Sequence, residues 1–224
     1  MINPQEWLCA YQKAMNTAFG NRVLFIGLQG SYARGEATEK SDLDVVMILD
    51  SVTMTDLNIY KKITDTLPHS ELLCGFLSGK AELQGWCRHD LFQFYYDTTN
   101  VMGNLADMIG VPTEEDAKQA IYIGACNLYH GCSHNYLHAM DVDALTALYK
   151  AAFFVLQAKC FCQSGRYIKN RGELKDALVG DDLAILLLSD QLGAITTDNF
   201  SEATATLLRW SSEIICHKCD CGEI

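Results

Sequence analysis

Apolar residues in the first hundred positions follow two different periods. From Asn3 to about Phe19, Trp7, Leu8, Tyr11, Met15, Ala18 and Phe19 recur at helical spacing, which predicts an amphipathic helix. Residues 23–28 and 45–49 are short apolar runs rich in branched side chains and bounded by Gly or polar residues, so they read as buried strands. The polar piece between them, opening on Gly30-Ser31, reads as a turn and a short helix. Thr53 or Thr55 caps a further helix to about Thr66, carrying Leu57, Ile59, Tyr60 and Ile63, and Leu67-Pro68-His69 breaks it. Residues 71–77 read as a third strand, 80–86 as a short helix and 90–96 as an aromatic-rich amphipathic stretch. Gly103 and Gly110-Val111-Pro112 mark a boundary.

Beyond that boundary the pattern is helical only. Thr113-Glu114-Glu115-Asp116 is a capping box. Helices are expected at about 113–131, 141–163, 172–190 and 198–218. In the second, Val142, Leu145, Leu148, Tyr149, Ala152, Phe153 and Leu156 form an apolar stripe. The last carries Ala205, Leu208, Trp210, Ile214 and Ile215. The expected fold class is therefore α+β: a small mixed-sheet domain over 1–110, then an antiparallel helical bundle over 111–224.

Composition changes this picture little. The 224 residues suffice for a sizeable core, half of them apolar. No apolar run reaches the roughly 18 residues that span a bilayer. The N-terminus lacks the basic and apolar blocks of a signal peptide, and the ten cysteines suit a reducing cytoplasm as free thiols. The net charge of −11 argues against a nucleic-acid polymer as substrate, because such binding draws on Lys and Arg at the phosphates. It suits a small acceptor, a cationic one above all.

The chemistry concentrates in Gly30-Ser31-Tyr32-Ala33-Arg34-Gly35-Glu36 and Ser41-Asp42-Leu43-Asp44. Strand side chains alternate, so Asp42 and Asp44 share one face while Leu43 and Val45 take the other. Two adjacent carboxylates repel unless a cation lies between them, and Mg²⁺ with oxygen ligands fits that role. The Gly30-Ser31 turn, opening a helix, offers N–H groups and a hydroxyl to phosphate oxygens. Together these features point to chemistry on a nucleoside triphosphate.

Gly30-Ser31, ten intervening residues and Asp42-Leu43-Asp44-Val45 resemble the signature of the DNA polymerase β-like nucleotidyltransferase superfamily. The form Gly-Ser-Tyr-Ala-Arg-Gly with Ser-Asp-Leu-Asp is similar to its small bacterial antibiotic-modifying and minimal members. The resemblance implies two Mg²⁺ ions held by three carboxylates, with ATP as nucleotide donor. Asp42 and Asp44 would supply two of the three. The third lies in the family on a later neighbouring strand, often as the general base. Glu71 is the candidate here, with Asp90 and Asp97 as rivals. Arg34 either reaches the triphosphate or is a solvated helix residue. Gly165-Arg166-Tyr167-Ile168-Lys169 is similar to the segment of spectinomycin/streptomycin adenylyltransferases in which a Lys reaches nucleotide phosphates, which nominates Lys169, with Lys150 as the weaker option.

Other patterns carry bland readings. Cys126, His130, His134 and His138 are spaced to share a helix face, but Gly131 and Ser133 weaken a helix there, and bundle-facing polar residues are expected rather than a metal site. Cys216, Cys219 and Cys221 include a Cys-x-x-Cys spacing without a partner pair. Trp86, Phe92, Phe94, Tyr95 and Tyr96 either line an acceptor pocket or form a core between the domains.

The function expected is transfer of a nucleoside monophosphate, AMP from ATP, to a hydroxyl of a small molecule, with aminoglycoside-like or lincosamide-like antibiotics as leading acceptors and antibiotic resistance as the setting. Partners are the triphosphate and the acceptor, without nucleic acid or membrane, and a homodimer is left open. The alternatives are an antitoxin that adenylylates a partner protein, and a nucleotide-binding regulator without turnover.

Overall fold

The computed structural model describes residues 2–39, 41–190 and 195–220, with residues 190 and 217–220 described by backbone alone. Two compact units divide the chain, Met1–Pro112 and Thr113–Ile224.

The first unit runs α1 (Pro4–Phe19), β1 (Val23–Leu28), α2 (Gly30–Arg34), β2 (Leu43–Leu49), α3 (Met54–Thr64), β3 (Leu73–Gly79), α4 (Lys80–Gln84), α5 (Arg88–Asp97), β4 (Thr99–Met102) and α6 (Ala106–Ile109). The four strands form one mixed sheet in the order β3-β2-β1-β4. β1 is antiparallel to β2 and β4, and β2 is parallel to β3.

Alternation along β2 decides what each face of the sheet carries. Leu43, Val45, Met47 and Leu49 join Trp7, Leu8, Tyr11, Met15 and Phe19 of α1 in one core. Val46 and Ile48 face the other way, into a second core with Phe25, Leu83, Leu91 and Phe94. Both faces of the sheet are therefore covered. Asp44 shares its face with Val46 and Ile48, on the side where α5 packs.

Several boundaries differ from the sequence expectation, each for a local reason. The third strand begins two residues late because His69 adopts a left-handed φ of 61° and Ser70–Leu72 form a 3₁₀ turn. The short strand β4 carries Thr99 and Asn100 exposed, so no apolar alternation announces it. Thr53, not Thr55, caps α3, in a capping box with Asp56. Arg22 closes this corner, donating to Asp50 Oδ1 from Nε (3.0 Å) and to Asp56 Oδ1 from Nη1 (2.6 Å).

That corner gives a pH prediction. The Arg22 guanidinium, aided by the Thr53 hydroxyl, holds the Asp56 carboxyl well below the usual carboxylate range. A carboxyl depressed in the folded state stabilises above its unfolded pKa, and the contribution is lost as pH falls toward the folded value. Asp56→Asn is expected to lower Tm at pH 7, and the gap to wild type is expected to shrink below about pH 4, the ordinary aspartate range. Thermal melts at the two pH values check this; a gap that stays constant refutes the assignment.

The second unit contains α7 (Glu114–His138), α8 (Val142–Ser164), α9 (Arg171–Ala177), α10 (Gly180–Asp190) and α11 (Phe200–Asp220). Its core gathers Leu145, Tyr149, Phe153, Leu156, Leu174, Ile185, Leu186, Leu207 and Trp210. The helix expected over 172–190 is two helices, parted where Gly180 takes a φ of 58°. Gly131 does not interrupt α7, which runs on to His138. It serves packing instead: a Cβ at Gly124 would lie 2.6 Å from Val155 Cγ2, and one at Gly131 2.7 Å from Leu148 Cδ2, so the two glycines let α8 approach closely.

By length and mean hydropathy α8 is apolar enough to cross a membrane, although polar residues interrupt its apolar run. Half of its apolar window is buried inside the bundle, which accounts for its composition as a core helix.

Candidate active site

The β1–β2 ladder brings the glycine bend and the acidic pair together. Leu28 pairs with Val45, and the next rung is the Gln29 N–H donating to the Asp44 carbonyl at 2.8 Å. Gly30 follows at once with φ 66°, which glycine adopts without strain. A Cβ built there would lie 1.8 Å from Asp44 Oδ2. The Asp44 carboxylate thus lies directly against the bend, where only glycine fits.

The face that Asp44 occupies explains its neighbours. α5 packs on that face, and its last residue, Asp97, is buried beside the bend. The Gly30 N–H donates to Asp97 Oδ2 at 3.4 Å. Arg34, on α2, reaches the same carboxylate from Nη1 at 3.2 Å and donates from Nε to Glu36 Oε2 at 3.0 Å. Across the parallel ladder, Asp44 pairs with Cys74, whose thiol donates to it.

The electrostatics follow from this crowding. Burial, joined by the charges of Asp42 and Asp97, pushes the Asp44 carboxyl up, while the Cys74 hydrogen bond and the Arg34 charge pull the other way. Burial and the Asp44 charge push the Cys74 thiol up. Asp42 precedes β2 and is exposed. Three acids around one bend make a place where a divalent cation would be favoured.

The other expected site residues lie as follows. Ser31 and Arg34 are on the bend helix with Gly30. Glu71 is on the 3₁₀ turn before β3, exposed, with Oε1 3.8 Å from His69 Nδ1. Among the described residues it shares no hydrogen bond or ion pair with Asp42 or Asp44. The physical reason is the late start of β3: the position across from Asp44 carries Cys74, and Glu71 precedes the ladder. Asp90 is exposed on the first turn of α5, beside His89. Asp97, at the opposite end of that helix, is the rival that reaches the bend. It sits three and six residues after Phe94 and Leu91, which are buried on the α5 face that meets the sheet.

Lys169 and Lys150 belong to the second unit. Lys169 is half-buried in the connection before α9, and its carbonyl accepts from Gln157 Nε2 at 3.4 Å; Lys150 is exposed on α8. His130, His134 and His138 are exposed on one face of α7, not turned into the bundle, with ring centroids 6.0 and 4.9 Å apart. Cys216 is exposed, whereas the Cys219 side chain and Cys221 lie outside the described residues. The aromatic stretch is used within the first unit: Phe76, Trp86 and Phe94 meet edge to face at 5.1–5.8 Å, and Phe92 stacks obliquely on Tyr96 at 5.0 Å.

Comparison with known proteins agrees with this geometry. Residues 8–76 match the family model of the nucleotidyltransferase domain. A search by sequence finds no matching curated protein. Among solved structures, spectinomycin adenyltransferase AAD(9) from Enterococcus faecialis, crystallised with ATP and spectinomycin, aligns with a TM-score of 0.59 at 15% identity, covering 95% of this chain and 99% of its own. At that identity the likeness is one of fold, and it extends over both units. The matched residues include the bend, the whole of β1 and β2 and the acidic pair, and this stretch of the first unit is similar to the nucleotidyltransferase domain.

Proposed function

We propose that the protein is an Mg²⁺-dependent adenylyltransferase that moves AMP from ATP to a hydroxyl of a small molecule and releases pyrophosphate. One observation carries the reading: Asp44 lies against a bend that has to be glycine, with Asp97 at the same bend.

The donor set fits Mg²⁺. Its atoms are hard carboxylate oxygens, and the half-buried Asp44 carboxyl, crowded by two like charges, is a group that a cation would relieve. When bound, Mg²⁺ supplies charge neutralisation and orientation for the triphosphate. Asp44 on β2 and Asp42 just before it would hold it, while Gly30 and Ser31 receive phosphate oxygens at the bend. The acceptor oxygen bonds to the α-phosphorus as the bond to the pyrophosphate oxygen breaks, and the acceptor proton passes to Asp97. Asp97 thus replaces Glu71 as the third carboxylate. Arg34, clasped by Asp97 and Glu36, fixes the direction of Asp97 and is a positioning residue more than a phosphate ligand. Lys169 keeps its proposed role at the nucleotide phosphates, on the resemblance alone.

For the acceptor we propose an amino-sugar, aminocyclitol or lincosamide antibiotic. The net charge of −11 favours a cationic molecule, and the fold neighbour was crystallised with spectinomycin. ATP as donor makes the cytoplasm the proposed setting.

The test is pyrophosphate release from ATP and Mg²⁺ across a panel of these antibiotics. Asp97→Asn is expected to lower turnover of the active acceptor about a hundredfold, the lower end of what a positioned base contributes. Glu71→Gln is expected to leave it unchanged. The reverse order would return the role to Glu71; no turnover with any acceptor would leave nucleotide binding without transfer and sink the reading.

A further inference from the structure

A second group of ligand-bearing side chains lies at the other end of α5. Cys87 Sγ, a nitrogen of His89 and a carboxylate oxygen of Asp90 all lie within 4.8 Å of one another. We propose that these three residues bind a Zn²⁺ ion, which clips the start of α5. The site is independent of the transferase chemistry proposed above, since it uses none of the residues at the glycine bend.

The donor chemistry is that of zinc: thiolate, imidazole and carboxylate are its three common protein ligands. With metal–ligand distances of about 2.0–2.3 Å, tetrahedral ligand atoms stand roughly 3.5 Å apart. The cluster has to contract by about an ångström, which side-chain rotation alone can deliver. The charges also balance: a thiolate and a carboxylate neutralise a divalent ion, and the imidazole remains neutral. His89 Nε2 already lies 3.4 Å from Asp90 Oδ1. Arg88, between the ligands in sequence, turns away and donates from Nη1 to the Ile109 carbonyl at 2.8 Å, so its charge is directed elsewhere. Three ligands from four consecutive residues leave a fourth position for water or another donor.

The helix has a use for such a clip. Cys87 is the N-cap of α5 and makes no side-chain capping hydrogen bond. Thr53 and Thr113, by contrast, cap α3 and α7 with complete capping boxes. An ion held by Cys87, His89 and Asp90 ties the N-cap to the first turn and does by coordination what those hydroxyls do by hydrogen bonding.

The experiment titrates Co²⁺ into the chelator-treated full-length chain and counts equivalents that give a thiolate-to-metal charge-transfer band, then displaces them with Zn²⁺. The proposal expects Cys87→Ser to remove one such equivalent, and His89→Ala to weaken it at least tenfold with the thiol still present. Zn²⁺ should raise the Tm of the wild type more than that of either variant. Carboxylate-only binding at Asp42 and Asp44 gives no thiolate band, and binding by the C-terminal cysteines survives both changes. An unchanged count of thiolate-bound equivalents in both variants, or no thiolate band in the wild type, overturns the site.

Discussion

Asp44→Asn is expected to reduce pyrophosphate release by about a thousandfold or more while the protein keeps its fold. Each tenfold loss of rate corresponds to about 1.4 kcal/mol of transition-state stabilisation, and charge stabilisation by a bound metal is worth several. The substitution removes the anionic oxygen that would meet the ion but keeps the shape. It also removes the burial cost and the like-charge repulsion that push the Asp44 carboxyl up, so the variant should melt at or above the wild-type temperature. Parallel measurement of turnover and Tm checks both halves. Retained turnover would show that Asp44 is not at the reacting phosphate, whereas a large fall in Tm would show that its charge is structural.

Gly30→Ala is expected to do smaller but still large damage by a different route. Its added methyl would lie 1.8 Å from Asp44 Oδ2, at a φ of 66° that costs a residue with a Cβ about 1–2 kcal/mol. Either the carboxylate rotates away or the bend retreats from β2. Displacement of a catalytic group by about an ångström typically costs a hundredfold in rate. Turnover should fall about that much, with stability lowered only modestly, because β1, β2 and the two cores are untouched. Ala at Gly35, whose φ is also positive (73°) but where a Cβ meets nothing within 4 Å, separates backbone strain from the carboxylate clash. If the two variants behave alike, strain alone is responsible and the close approach to Asp44 does not matter.

The approach of the bend to Asp44 was legible before any coordinates. The bend and Asp44 adjoin or occupy strands whose apolar runs are unmistakable, whereas Asp42, expected on the same strand face, lies just before β2. The third acid proposed here was not singled out by the sequence, because its position depends on which helix covers that face. Nothing local distinguishes Asp97 from Glu71 or Asp90; only the packing of Leu91 and Phe94 against Val46 and Ile48 brings the end of α5 to the bend. The same limit applies to β4, which is four residues of an edge strand held by its ladder to β1. Gly131 was misread for the converse reason. A glycine weakens an isolated helix, but here it seats a neighbouring one, and tertiary contact outweighs intrinsic propensity.

The ladder rung between Gln29 and Asp44 has a consequence for how such proteins are recognised. The turn glycine and the acid are joined by pairing of β1 with β2, and β2 is anchored again on its far side by β3. The intervening segment, exposed at Gly35, Thr38 and Glu39, takes no part in that registration. Lengthening or shortening it by a few residues should leave the geometry intact, because longer loops cost little in closure entropy. Chains with a different count of residues between the two landmarks can therefore share this approach of bend and acid and yet escape any search that fixes the interval.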